Sequence, residues 1–461
     1  MTASTAPGRN ARDRAAEVLT TCYLGDPFCS EVLEAMQKAA PLPPAEASLA
    51  AELVIGVSRH RITAEHLAGR FYRGRFAGLR PSVRVILATA IYQLCWLDRI
   101  PDYAAVDEAV RQAKRHGRGV SSMVNAVLRA LISHRGEISA RPDKPDPRRY
   151  LAIDAGRGRL FTENVFPDPA RRPLDYLVAA TSHPPWLVER WHRRFKPKLC
   201  RQVCDAGQRR PPLVLRPNTM RITAEQLVER FRASGHQPCR VDDGEAVLLR
   251  DIVPAAELAE VQAGLCQPQD STSQLALRLC PPQAGELVVD LCAGVGTKST
   301  QAAEMMNNSG VVIASDMDEA RLGRIPASAE RLGLTIIRPT PLEQLDACLA
   351  ELGRAPDLIL VDAPCTNTGV LARRPEARYR ASQRALKELT VTQGRLLERA
   401  AKLAGPRTRL IYATCSLERE ENEEQISRFC ELLPQWQVQT QVFTLPDADR
   451  DGGFAAVLMQ V

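Results

Sequence analysis

Four short apolar runs in the carboxyl-terminal part of this chain, each stopped by an acid or a thiol, constrain its fold more than any other feature. Leu287-Val288-Val289 ends in Asp290, and Val311-Val312-Ile313-Ala314-Ser315 ends in Asp316. Leu358-Ile359-Leu360-Val361 runs into Asp362-Ala363-Pro364-Cys365, and Leu410-Ile411-Tyr412-Ala413 into Thr414-Cys415-Ser416. Runs with no polar alternation read as strands buried on both faces, which calls for a parallel sheet with crossover helices. Open sheets of this kind hold their ligands at the carboxyl ends of the strands. The acids and thiols that close the runs are therefore expected along one edge. Two thiols there, beside a nucleotide-type site, suggest covalent chemistry on a flat electrophilic ring.

The turn after the first run is Cys292-Ala293-Gly294-Val295-Gly296-Thr297-Lys298. Its small residues let backbone N–H groups approach a ligand closely. Asp316 lies 26 positions beyond Asp290, near the roughly 20-residue offset at which an acid reaches a ribose hydroxyl. Two readings stand at this point, a nucleoside-cofactor site and a plain βαβ turn. All seven histidines precede residue 251, so the carboxyl half has no Ser-His-Asp triad, Cys-His dyad or His-bound metal of its own. Its proton transfers fall to carboxylates, thiols, water or the substrate. The 13 cysteines are odd in number, scattered and free of any C-x-x-C pair. That pattern reads as reduced thiols with no zinc site; Cys200 and Cys204, one helical turn apart, read as packing.

A chain of 461 residues is too long for one core, so two or three domains are expected. Residues 1–136 read as helical, with Leu49, Leu53 and Val57, and then Val83, Ile86, Leu87, Ala90, Ile91 and Leu94, at helical spacing. Within them, Arg111 to Arg118 is a basic stretch suited either to phosphate contact or to a solvated helix end. Residues 137–172, rich in Pro, Arg, Asp and Gly, read as a linker, and residues 173–250 as a small α/β unit. From 251 to 461 strands and helices alternate. Residues 1–250 hold 40 Lys and Arg against 26 Asp and Glu, a balance of +14, whereas the remainder carries −7. A basic front half joined to an acidic back half fits a nucleic-acid-gripping module on an enzyme core. No apolar stretch approaches the roughly 18–20 residues of a membrane span, and the first residues lack a secretory apolar block. A cytoplasmic protein is the expectation.

Taken in order, the strand–DLCAxxGxK segment, the Asp-ended second strand, DAPC-x-x-x-G from Asp362 to Gly369 and YATCS from Tyr412 to Ser416 resemble the bacterial 16S rRNA cytosine-C5 methyltransferases. Gln269-Asp270, Arg373-Arg374-Pro375-Glu376 and Glu420-Glu421-Asn422 match as well. The first third is similar to the NusB-like RNA-binding domain of the RsmB/Sun/Fmu-like branch. The likeness there lies in Ala51 to Val57, Tyr92-Gln93-Leu94, Asp98 to Pro101, Ala105 to Ala109 and Val124 to Arg129. Ser182 to Trp191 resembles the entry to that branch's middle domain. The resemblance implies an all-α NusB-like domain, a small α/β middle domain and a Rossmann-like methyltransferase core. S-adenosylmethionine would be held by Cys292 to Lys298, Asp316 and Asp362. Cys415 would be the nucleophile that adds to C6 of cytosine, Cys365 the thiol that releases the adduct, and Asp362 the group that hydrogen-bonds the base. The implied partner is 16S rRNA, free or in an early small-subunit particle, with the protein a monomer and no metal or membrane involved.

The chain departs from that family at three places. Gly294-Val295-Gly296-Thr297 replaces the usual alanine-proline-glycine-glycine, and the third strand, through Ile336 to Leu342, ends without the family's acid. Gly405-Pro406-Arg407-Thr408 stands where a glycine pair precedes the last thiol strand. These changes imply weakened but active cofactor use. A non-catalytic RNA-binding or ribosome-assembly protein is the alternative; a DNA cytosine methyltransferase, which takes its nucleophile from a Pro-Cys motif, is a second.

Overall fold

A computed structural model describes residues 10–23, 27–241, 246–251 and 253–461, so the first nine residues of the region read as 1–136 lie outside the description. The chain divides into two units, one holding residues up to Arg209 together with Arg374–Arg380, the other Arg210–Arg373 and Ala381–Val461.

The first unit opens with six helices, α1 (Ala11–Thr21), α2 (Cys29–Ala39), α3 (Pro44–Phe71), α4 (Pro81–Trp96), α5 (Asp102–Ala113) and α6 (Arg118–His134). Asn10 caps α1 by accepting from the Asp13 N–H at 2.9 Å, and α3 and α4 each begin with proline in the first turn, where its missing N–H costs nothing. α4 is buried almost all round, including Val83, Ile86, Leu87, Ala90, Ile91 and Leu94. Its helical spacing is therefore that of a central helix rather than a one-sided one. Arg111, in the basic stretch, pairs with Asp13 and Glu108, each at 2.8 Å, so this arginine is tied to its own unit.

Residues 137–172, read as a linker, carry regular structure instead. β1 (Arg135–Ala140), β2 (Tyr150–Ala152) and β3 (Arg157–Phe161) form an antiparallel sheet in the order β1-β3-β2. The pattern is invisible to hydropathy because an inward position is an arginine. Arg159 is buried and donates to the Cys95 and Gly136 carbonyls, both at 2.8 Å. Helices α7 (Pro173–Thr181) and α8 (Pro185–Gln208) follow, and they cluster with this unit rather than with the small α/β region. The segment Arg374–Arg380 belongs here too, through Arg378. Its fully buried guanidinium, lowered to about 10 by that burial, donates to the carbonyls of Arg59, Ser182 and Gly207.

The second unit holds two sheets. β4 (Leu213–Pro217), β5 (Pro238–Val241), β6 (Ala246–Leu249) and β7 (Cys266–Pro268) pair antiparallel in the order β5-β6-β4-β7. The larger sheet is built from β8 (Leu287–Asp290), β9 (Val311–Asp316), β10 (Ile337–Pro341), β11 (Leu358–Asp362), β12 (Arg409–Thr414), β13 (Trp436–Thr444) and β14 (Gly453–Gln460). Its order is β10-β9-β8-β11-β12-β14-β13. The first five strands are parallel, as the apolar runs require, but β14 runs antiparallel to both β12 and β13. A short loop, not a crossover helix, joins β13 to β14, so these two strands pair antiparallel. Alternate residues of each run enter opposite cores. Val289, Ile359, Val361 and Tyr412 pack on one face, and Val288, Leu358, Leu360 and Ile411 on the other. Each buried aliphatic side chain is worth about 1.5–3 kcal/mol, which locks the register.

Chain order reverses at β8, flanked by β9 on one side and β11 on the other, and such reversals open the crevice in which ligands sit. Register brings the strand ends into line. Leu360 faces Asp290, Pro341 faces Asp316, and Asp362 faces Ala413. Among the described residues no helix is long and apolar enough to cross a membrane.

Candidate active site

The crevice is closed at its base by an ion pair. Lys298, in the first turn of helix Thr297–Met305, reaches from the turn after β8 to the end of β11, where its Nζ meets Asp362 Oδ2 at 2.5 Å. Burial works against the charge on Lys298, but Asp362 outweighs it and the ammonium is held above its ordinary value. Below the pair lies Asp290, 1% exposed. Its Oδ2 accepts from Ser299 Oγ at 2.7 Å, while Oδ1 has no hydrogen-bond partner among the described residues. Burial, opposed by Ser299, pushes its carboxyl up to about 7. Cys292 feels the same crowding. Burial first, and then Asp290, Asp362 and Asp316, push its thiol well up.

The turn from Cys292 to Lys298 is held by its backbone. The Ala293 N–H donates to the Ser315 carbonyl at 2.9 Å and the Gly296 N–H to the Ala293 carbonyl at 2.8 Å. Gly294 donates to Asp316 Oδ2 at 2.8 Å, and the other Asp316 oxygen accepts from the Asp318 N–H at 2.9 Å. Gly296 sits at φ 81°, where a Cβ would press on Ile325 Cγ1 at 2.9 Å, so both its conformation and its neighbours demand glycine. The Thr297 carbonyl accepts from Arg216 Nη1 at 3.1 Å, and Arg216 is itself locked to Glu304 by a buried bidentate pair at 2.9 Å. These bonds tie the turn to the end of β9 and to Arg216. The side chain of Val295 is exposed and takes no part. At the end of β10, Pro341 and Leu342 carry no acid, and Glu343 is exposed on the following 3-10 turn.

The two thiol segments lie side by side. Cys365 and Cys415, just beyond the adjacent ends of β11 and β12, bring their sulfurs to 3.3 Å, and both are free thiols. Cys365 is buried and Cys415 partly exposed. The Cys415 contact and then burial push the Cys365 thiol well up, so it stays protonated. The Cys415 Sγ also donates to Asn367 Oδ1 at 3.1 Å. Behind the thiols, Glu421 is fully buried; its carboxylate accepts from the Thr366 N–H at 2.9 Å, the Thr366 hydroxyl at 2.5 Å and Gln393 Nε2 at 3.1 Å. Asn422 accepts from the Thr414 hydroxyl at 2.5 Å and donates to the Ser416 carbonyl at 2.9 Å. Glu421-Asn422 thus pins both segments at once. Gly369 must be glycine, since a Cβ would lie 2.3 Å from the Gly452 carbonyl oxygen. Arg373 anchors the outgoing chain, donating to Asp451 at 2.7 Å and Asp270 at 2.8 Å.

The structure therefore gathers Asp316, Lys298, Asp362, Cys365 and Cys415 at one edge, with Cys292, Ala293, Gly294 and Gly296 beneath. Asp290, Ser299, Asn367 and Glu421 were given no role from sequence. Asp290 is marked there only as the acid that ends the first run, and Glu421 only as part of the matching Glu420-Glu421-Asn422. Asn367 had no signal beyond its place between two motif positions. The described residues contain no cluster of His, Cys, Asp or Glu able to hold a metal.

This sheet order and edge define a Rossmann-like methyltransferase core, in a chain that also holds a helical domain of the NusB type and a small sheet domain. The family model described as 16S rRNA methyltransferase RsmB/F matches residues 277–453, the NusB family model residues 9–133, and a ferredoxin-like RsmF/B domain model residues 183–255. The chain is 30% identical over 431 residues to the probable ribosomal RNA small subunit methyltransferase B of Bacillus subtilis, covering 93% of this chain and 90% of that one. It is 29% identical to the ribosomal RNA small subunit methyltransferase B of Erwinia tasmaniensis, covering 91% and 90% of the two chains. The chain belongs to this family of S-adenosylmethionine-dependent small-subunit rRNA methyltransferases. Of solved structures, that of PH0851 shares the fold with a TM-score of 0.73 at 22% identity, covering 99% of this chain and 100% of that one. NSun6 from Pyrococcus horikoshii with SFG, an analogue of S-adenosylmethionine, shares it at 0.53 and 20% identity, over 60% of this chain and 98% of that one.

Proposed function

We propose that this protein forms 5-methylcytosine in 16S rRNA through a covalent adduct between Cys415 and C6 of the target base. The observation that carries this reading is the 3.3 Å approach of two free thiols at the ends of neighbouring strands, of which only Cys415 is open to a ligand. C5 of cytosine is a weak nucleophile. Addition of the Cys415 thiolate at C6 forms a C–S bond and pushes the ring's π electrons towards C5. S-adenosylmethionine, when bound, supplies the methyl group that C5 takes up. Water then takes the C5 proton, the electron pair it leaves re-forms the C5–C6 double bond, and the C6–S bond breaks with Cys415 as the leaving thiolate. Cys365, held as a neutral thiol, serves that release. Asp362, partly exposed and balanced by Lys298, hydrogen-bonds the base edge as charge develops.

The residues fit S-adenosylmethionine on this chain's own geometry. Asp290 Oδ1 is a buried acceptor without a hydrogen-bond partner among the described residues, and a Cβ at Gly294 would meet nothing within 4 Å. We assign Asp316 to a ribose hydroxyl and Cys292 to Lys298 to the turn that holds the cofactor. We assign the chemistry to residues 251–461 and RNA gripping to the basic regions 1–136 and 173–250. The substrate is 16S rRNA, free or in an early particle, met by a monomer in the cytoplasm.

Transfer of labelled methyl from S-adenosylmethionine to unmodified 16S rRNA tests this. The wild-type protein should form 5-methylcytosine and Cys415→Ser should form none. Transfer retained by Cys415→Ser overturns the nucleophile assignment. No transfer by the wild type, with no cofactor binding at millimolar concentration, leaves the non-catalytic assembly protein.

A further inference from the structure

The segment that follows Cys365 contains one residue whose backbone and side chain are both unusual. Asn367 sits at φ 58°, in the left-handed region that Asn and Gly enter at low cost and other residues avoid. From there its amide turns back on the thiols. Nδ2 donates to the Cys365 carbonyl at 2.8 Å, which fixes the amide and aims Oδ1 at Cys415 Sγ, 3.1 Å away. With the sulfur pair at 3.3 Å, the contacts close a ring: Cys365 S–H to Cys415 Sγ, Cys415 S–H to Asn367 Oδ1, and Asn367 N–H to the Cys365 carbonyl.

An amide oxygen can only accept. It holds the protonated form of a thiol and gives nothing to a thiolate, so this contact sets the direction of the Cys415 S–H.

We propose that Asn367 is a positioning residue for Cys415, holding its S–H towards Oδ1 in the resting enzyme and releasing the sulfur when the proton departs. The proposal rests on the reading of Cys415 as the nucleophile. It adds a restraint that a residue without an acceptor at position 367 would lack. Deprotonation removes the donor from the 3.1 Å contact, and the sulfur is then free to move from the amide towards an incoming base. No covalent change occurs at Asn367.

The test is the rate of Cys415 alkylation by iodoacetamide in the free, full-length protein, followed by mass spectrometry of the Cys415 peptide across about pH 6 to 10. Asn367→Gly keeps the left-handed backbone and deletes the acceptor. Its rate–pH profile should move to lower pH, with alkylation near neutrality faster by about three- to tenfold, the range of one modest hydrogen bond. Asn367→Asp keeps the size and adds a stronger acceptor, so its profile should move to higher pH. A change in reagent access alone would scale the rate at every pH without moving the profile. Profiles that coincide with wild type, or that move in the same direction in both variants, overturn the proposal. The readout needs neither RNA nor cofactor. A chain in which Cys415→Ser still methylates would sink the nucleophile assignment whatever the alkylation profiles show.

Discussion

Lys298 Nζ lies 2.5 Å from Asp362 Oδ2, joining the helix after the first core strand to the end of the fourth. The cation stands between two carboxylates, because the buried Asp290 also acts on it. The pair therefore ties two core strands together across the crevice and sets the charge of Lys298 against that of Asp362.

Removing only the cation should expose the cost of the unpaired charge. Lys298→Met leaves Asp362 beside Asp290 with no compensating charge. Breaking a wholly buried pair costs roughly 3–5 kcal/mol; with a third of Asp362 exposed, a loss of about 1–3 kcal/mol is expected. Lys298→Met with Asp362→Asn should regain most of that stability in urea unfolding while methyl transfer stays lost. A double variant no more stable than the single one would count against a charge effect.

Asp290 predicts a pH dependence of opposite character. Its carboxyl is pushed up to about 7, whereas the unfolded chain releases the same proton near the ordinary value of about 3.9. Its contribution to stability is therefore complete below about pH 4 and is lost as the pH rises through about 7. Asp290→Asn cannot titrate, so the ligand-free variant should gain on wild type between those limits by about 2–4 kcal/mol and run parallel above them. Unfolding free energies at intervals from pH 4 to 8 check this; a wild-type-to-variant difference that does not change with pH would remove the argument.

Much of the second unit was legible because its signals are local. The strands β8, β9, β11 and β12 announced themselves as apolar runs, and each run ended at a residue the fold then used, including Asp316, Asp362 and the turn before Cys415. What the sequence hid were contacts made across distance. Arg159 occupies an inward strand position that hydropathy scores as surface, so β1 to β3 passed for a linker. The antiparallel turn at β14 depends on loop length rather than on composition. Glu421 holds Thr366 from 55 positions away and Asn367 meets Cys415 from 48, and no periodicity encodes such a pairing.

The roles given to the two thiols differ, and their variants should fail differently. Cys365→Ala removes the neutral thiol behind Cys415 but leaves the attacking sulfur in place. Adduct formation should continue while release slows, so a covalent protein–RNA complex should persist on denaturing gels after incubation with 16S rRNA and S-adenosylmethionine. Cys415→Ala, lacking the nucleophile, should give no such band. A persistent complex in Cys415→Ala, or none in Cys365→Ala with transfer at the wild-type rate, would reverse or dissolve the assignment.

Asp316 offers the cleanest view of the altered cofactor turn. Both carboxylate oxygens are engaged, one with the Gly294 N–H and the other with the Asp318 N–H. An asparagine has only one acceptor for these two donors, and its NH2 would face a backbone N–H. The turn, which lacks the proline that would stiffen it, should then open around Gly294. One unsatisfied donor costs about 1–3 kcal/mol, which corresponds to an affinity for S-adenosylmethionine lower by about tenfold or more. Asp318→Ala deletes a side chain in the same loop but leaves both bonds of Asp316, since the Asp318 contribution comes from its backbone. Calorimetric titration of the two variants should therefore show weak binding for Asp316→Asn and near-normal binding for Asp318→Ala. Equal losses in the two would mean that the loop as a whole, rather than the carboxylate of Asp316, sets the affinity.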